Sequence, residues 1–434
     1  MKRSIYALLA LALSFTLATL LTVTTKSSVF SESYPAVVCP PTLSGLSSQI
    51  SLSSRKTAFQ RLSNRSTKTI PFNVLRYPVS KDSLVISATG VTPVVWQSRA
   101  GSWAGGAICS GPASSQWFVG GSSDVTSRGR LMVINSGLSE AIVDVQAYSE
   151  NGKQPLVSLN LKSKSYIVLN LDSLATGDTS LTVHVLPRSG RINAFMIDEL
   201  GAGLQSLGGD LVNPITSPSR TLVIPAIPNQ IPKKGQKASG SHTLRVLTPS
   251  DVDANVTVEL LSADGRFIPV GFNSRRISSG IVTELRLSPK ISASAFAVRI
   301  KSDEPIVAAI SSRVTVKGRK DFVWSTPTPA LVPMAMAVTG LTPLIAFASD
   351  SIAVKVEVTY LNGKKSLATI KGSDIATWRV PNAARSITII KASSETYAGA
   401  LVASANGYGY LPITPGSLLT RVEIPSSNIR VLIP

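Results

Sequence analysis

Three stretches of the chain repeat one pattern, and that pattern narrows the fold more than any other feature. They are 129–153 (GRLMVINSGLSEAIVDVQAYSENGK), 241–266 (SHTLRVLTPSDVDANVTVELLSADGR) and 341–365 (LTPLIAFASDSIAVKVEVTYLNGKK). Each has an apolar run, a polar turn of six or seven residues, a strictly alternating segment, and then Asn-Gly or Asp-Gly. Neighbouring side chains of a strand point to opposite faces. Val143, Val145 and Ala147 thus oppose Asp144 and Gln146. Val256, Val258 and Leu260 oppose Thr257 and Glu259. Val354, Val356, Val358 and Tyr360 oppose Lys355, Glu357 and Thr359. One face of each strand is expected to be buried and the other wet, as in the antiparallel sheets of a sandwich.

The dipeptides Asn151-Gly152, Asp264-Gly265 and Asn362-Gly363 predict tight type I′ hairpins, with φ > 0 at both central residues. The segments 179–199, 294–314 and 385–407 follow in the same relative places, and each reads as strand, polar turn, strand. Gly152 and Gly265 are 113 residues apart, and Gly265 and Gly363 are 98 apart. That is the length of one sandwich domain, far longer than a solenoid repeat. A partial fourth copy lies upstream, where 61–99 resembles 275–313; its first half looks shortened.

The expectation is an all-β chain: tandem immunoglobulin-like antiparallel β-sandwich domains after an N-terminal apolar helix. The boundaries read as 1–27 (signal peptide or membrane anchor), 34–116 (an incomplete first sandwich), 117–222, 223–326 and 327–434. Gly- and Pro-rich joints fall around 101–123, 201–237 and 325–341. Pieces beside them, Trp117-Phe118-Val119, Leu222 to Pro225, Leu331-Val332-Pro333 and Val422 to Pro425, read as edge or crossing strands, where proline is tolerated.

Lys2 and Arg3 precede an apolar run from Ile5 to Val23, the form of an export signal. The run is long enough to span a bilayer, and no clear cleavage site follows. Cleaved signal and uncleaved anchor both stand, and either places the rest of the chain outside the cytoplasm. Cys39 and Cys109 are an even pair in an exported chain. A disulfide between them is the plain reading, and two buried thiols are the alternative. Such a bridge would compensate for the incomplete first domain.

The net charge is +19, although only 15% of residues are charged. Export argues against a nucleic-acid partner, which leaves acidic wall polymers and anionic lipid headgroups. Arg55, Lys56, Arg61, Arg65, Lys68, Arg76 and Lys81 form the densest basic stretch, with no acid among them. They read as a basic surface, which can equally be an ordinary solvated face.

No nucleophile elbow, zinc helix or phosphate loop is present, and no cofactor or metal motif. The Gly201–Gly209 stretch (GAGLQSLGG) reads as a flexible linker. His184 and His242 lie in different domains with no Ser or Cys nucleophile nearby, and the parity of His184 puts it on the wet face with Thr182. Asp198-Glu199 and Asp303-Glu304 read as turn and surface residues. Asp251 and Asp253 lack the remaining ligands of a calcium loop. Trp96, Trp103 and Trp117 crowd around Cys109. They either stack on sugar rings or pack against the disulfide.

The N-terminal apolar segment, AVVCPP, AICSGP followed by SSQWFVGG, and the GRLMVIN…ENG strand pair resemble an uncharacterised family of secreted or membrane-anchored actinobacterial proteins, a domain of unknown function. The resemblance implies a cell-envelope location and transfers no functional residue. The expected function is a non-catalytic extracytoplasmic scaffold that meets a cell-envelope protein or an anionic wall polymer, with a membrane contact through the N-terminal segment. A carbohydrate-binding module built on the three tryptophans is the alternative, and an enzyme with an unrecognised site is a third.

Overall fold

The computed structural model describes residues 36–52, 57–64, 66–71, 73–87, 90–203, 205–230 and 241–417, with Ser14, Thr16 and the strands 31–33 and 422–424. The N-terminal apolar segment, Arg55, Lys56 and Arg65 lie outside the described residues. Among the described residues, no helix is long and apolar enough to cross a membrane. The chain forms two compact units, 1–34 with 419–434, and 35–418. In the first, Ser31–Ser33 pairs antiparallel with Val422–Ile424.

The second unit is all-β: its first two copies are each built of two sheets, and the strands of the third and fourth join into one sheet of 8 strands and one of 7. In the second copy, one sheet runs Gln116–Val119, Thr182–Pro187, Ala141–Ser149, Gly152–Lys153, with Val157–Leu161 also on Ala141–Ser149. The other runs Ser165–Asn170, Arg130–Asn135, Ile192–Ala202, Gln205–Val212. The first copy has the corresponding orders: Val37–Cys39, Leu84–Ile86, Thr57–Arg61, Thr67–Ile70, and Arg76–Pro78, Ser47–Ser51, Val94–Arg99, Trp103–Ile108. Its strands are short, and their order is the same.

The alternating strands bury the expected faces. Val143, Val145, Val256, Val258, Leu260, Val354, Val356 and Val358 are all buried in the cores of their copies. The opposite faces are only partly wet. Asp144 and Gln146 are also buried, Asp144 under Ser158 and Arg188, and Gln146 against the Gln154 carbonyl.

Local geometry departs from expectation in four respects. At the hairpins only the glycine takes positive φ: 101° at Gly152, 112° at Gly265 and 81° at Gly363. Asn151, Asp264 and Asn362 keep negative φ, so the turns are not type I′. Glycine closes each turn as its fourth residue, with Gly363 N–H donating to the Tyr360 carbonyl at 3.0 Å. In the third copy, residues 294–314 do not turn. Ala295–Val316 is one strand that pairs with Ala254–Ser262 in one sheet and with His242–Leu247 in the other. The polar segment SDEP marks where it crosses between sheets. In the fourth copy Leu344–Tyr360 likewise runs through its expected turn, with a register shift between Ser349 and Ile352. Leu331-Val332-Pro333 is not a strand; Met334–Ala337 is, and it pairs in parallel with Val91–Thr92 of the first copy.

The copies share cores. Trp103, Ala107, Met132, Phe195 and Ile197 form a cluster between the first and second copies. Val223, Ala297, Ala346 and Tyr410 do the same between the third and fourth. The disulfide is formed between Cys39 and Cys109 and ties the two sheets of the first copy.

Candidate functional site

Strand Ile192–Ala202 has both faces covered, which fixes its last acids. Ala194 and Met196 face the core of the second copy, while Phe195 and Ile197 face the first copy. Asp198 and Glu199 continue that alternation and leave in opposite directions. Both are buried, so the reading of this pair as turn and surface residues was wrong. Glu199 reaches into the first copy, where Arg99 Nε donates to it at 2.7 Å and the indole of the fully buried Trp103 also donates. Arg130 of its own copy donates at 2.8 Å. Burial pushes the Glu199 carboxyl up, but the Arg99, Trp103 and Arg130 donors outweigh it and hold it below the usual range.

Asp198 turns the other way and accepts the indole N–H of Trp324, from the third copy, at 2.8 Å. Asp210, on Gln205–Val212, accepts the Trp324 backbone amide at 2.8 Å. Asp321, on Arg319–Ser325 of the third copy, accepts the amides of Gly209 at 3.2 Å and of Tyr408, from the fourth copy, at 3.3 Å. Four buried acids thus join all four copies. Burial raises Asp198 to about 6 and Asp321 to about 7, and it raises Asp210 strongly, with repulsion from Asp321 adding to the effect. Arg245 lies over the Trp324 ring at 4.8 Å and donates to the Gly121 and Leu181 carbonyls of the second copy. Glycines permit the close approach: a Cβ on Gly105 would fall 2.2 Å from Asp210 Oδ1. The stretch read as a linker at Gly201–Gly209 is part of the hairpin that carries Asp210.

An open cleft of about 430 Å³ lies beside Glu199, between the first and second copies. Arg99, Arg128 and Arg130 line it with Ser122, Ser127 and Asn170, and Ser44, Ser123, Gly129 and Asp172 complete the lining. Among the described residues, no group of three or more His, Cys, Asp or Glu is arranged to hold a metal.

The residues singled out in the sequence are dispersed. Trp96, Trp103 and Trp117 are 8%, 0% and 5% exposed and sit in three different cores. Their faces are closed to a sugar ring, so the stacking platform is not there. Trp117 instead stacks on His184, with centroids 3.8 Å apart. His184 is not on a wet face with Thr182, because Thr182 is fully buried. Each histidine does have a serine partner, contrary to expectation: His184 with Ser115 and His242 with Ser312, each at 2.9 Å. Burial lowers both imidazoles to about 4. Of the basic stretch, Lys68 and Lys81 are exposed, while Arg61 and Arg76 are half-buried and Arg76 packs close to Gly340 of the fourth copy.

A family of unknown function (DUF5719) matches residues 83–377, more than half of the chain. The chain belongs to this family. Its matched range runs from the last strands of the first copy into the fourth, and so includes Glu199, Asp198, Asp210, Asp321 and the three cleft arginines. No curated protein matches the chain. Among solved structures, a crystal structure of Thermotoga maritima 1070 is similar over 25% of this chain and 93% of its own, at 19% identity and a TM-score of 0.21.

The four acids were missed because a carboxylate inside an apolar strand normally marks a wet position. The available signal was the failure of that rule in FMIDE, GGDLV and KDFVW, where acids sit directly against bulky apolar residues and paired glycines.

Proposed function

We propose that the chain is a non-catalytic extracytoplasmic scaffold of the cell envelope. Its four immunoglobulin-like copies hold a cationic surface toward a partner protein or an anionic wall polymer. The observation that carries this reading is how the buried acids are used. Asp198, Glu199, Asp210 and Asp321 each accept N–H groups from a neighbouring copy. Their carboxylates serve to hold the copies in fixed relation. The disulfide supports a location outside the reducing cytoplasm. The charge of +19 supports an acidic partner. The N-terminal segment supplies either a membrane anchor or a removed export signal.

The test is retention of the full chain on purified cell wall across a salt series, with fractionation of the producing cells. Retention should fall as salt rises, and the protein should be found in the envelope or the medium. Salt-independent retention, or none, removes the electrostatic part. Recovery from the cytoplasm with reduced cysteines removes the location.

A further inference from the structure

We propose that the cleft between the first and second copies is a binding site for a phosphate ester with a polar organic part. Its volume of about 430 Å³ lies within the roughly 300–1,000 Å³ of small-molecule sites. Arg99 and Arg130 share the single carboxylate of Glu199, so one positive charge at the back of the cleft is not neutralised there. Arg128 is exposed in the wall, and its guanidinium has no partner among the described residues.

One further donor is committed to no acceptor. Ser122 is buried and accepts from the Asp124 amide at 3.2 Å and from the Ser127 hydroxyl at 3.0 Å. A hydroxyl has two lone pairs and one hydrogen. With both lone pairs taken, the Ser122 hydrogen is left to donate.

The number of donors decides the chemistry. A carboxylate has two oxygens in one plane. The Arg128 fork and the Ser122 hydroxyl together suit the tetrahedral oxygens of a phosphoryl group, which arginine binds through paired N–H groups. The rest of the lining includes Ser44 and Asn170 and has no aromatic or aliphatic side chain. It suits a sugar or polyol in preference to an acyl chain or a nucleobase. Asp172 adds a negative charge to the lining and disfavours a second phosphate.

The test is calorimetric titration of the full, oxidised chain with glucose 1-phosphate, glucuronate and glucose. A phosphodiester arm, glycerophosphoglycerol, distinguishes a polymer unit from a free monoester, and binding of either phosphate ester supports the site. Arg128→Gln should weaken binding about tenfold or more, the scale of a charge-assisted hydrogen bond. Arg128 is tied to its neighbour through its backbone amide, which donates to the Glu199 carbonyl at 2.9 Å, so the fold should be retained. Lys355→Gln, on an exposed face of the fourth copy, should bind as the parent does. The proposal is overturned by any of three results: no phosphate-ester binding up to about 10 mM, well above a millimolar Kd; equal binding of glucuronate; or equal affinity of the Arg128→Gln and Lys355→Gln chains. Phosphate-ester binding by a chain that fails to hold to cell wall would support this site and count against the scaffold reading alone.

Discussion

Glu199→Gln tests the acid junction with the least change of shape. The carboxylate holds Arg99 at 2.7 Å, Arg130 at 2.8 Å and the Trp103 indole. An amide keeps one acceptor oxygen but replaces the other with donors that face an arginine. Removing one partner of a buried ion pair costs about 3–5 kcal/mol. The Arg99 and Arg130 side chains are 29% and 20% exposed, so water recovers part of that loss. The expected cost is about 2–3 kcal/mol. Because Arg99 and Trp103 belong to the first copy, the loss should fall on the joint between copies as well as on global stability. Urea unfolding followed by far-UV circular dichroism and by tryptophan fluorescence reads both effects. The parent should give coincident transitions, and the variant should release its first copy at lower urea. A destabilisation under about 0.5 kcal/mol, the level of an ordinary surface change, with transitions still coincident, would refute the assignment of Glu199 as the tie.

Three further outcomes are expected. Burial raises Asp198 to about 6 and Asp321 to about 7, so between pH 4 and those values the folded chain binds more protons than the unfolded one. Their contribution is therefore complete below about pH 4 and is lost as pH rises toward about 7. The urea midpoint should be higher at pH 5 than at pH 8, Asp321→Asn should flatten the difference, and a midpoint that rises over this interval would contradict it. Replacing Cys39 and Cys109 together by serine opens a loop with a sequence separation of 70 and should cost about 4 kcal/mol, read as a lower melting temperature for the first copy. Gly105→Ala places a methyl 2.2 Å from Asp210 Oδ1 and 2.9 Å from the Leu211 amide; it should destabilise by about 1–3 kcal/mol, and a neutral result in thermal unfolding would mean the two copies are less closely apposed there.

The sequence by itself determined the period-two burial, the glycine-closed turns and the recurrence of one plan, because each depends on neighbours along the chain. Val143, Val256 and Val354 are buried because strand geometry sends every second side chain the same way. It also supplied the cysteine pair as a candidate disulfide, and the structure decided for the bond over two buried thiols. What the tertiary structure decided is what the outward faces meet. Asp198 and Glu199 look like exposed residues until the third copy meets one and the first copy meets the other, and Trp96, Trp103 and Trp117 look like a cluster until each is drawn into a different core. The cleft arginines come from two copies, with Arg99 some thirty residues upstream of Arg128 and Arg130. Contacts between copies are set by shape and charge across separate surfaces. No periodicity along one strand encodes them.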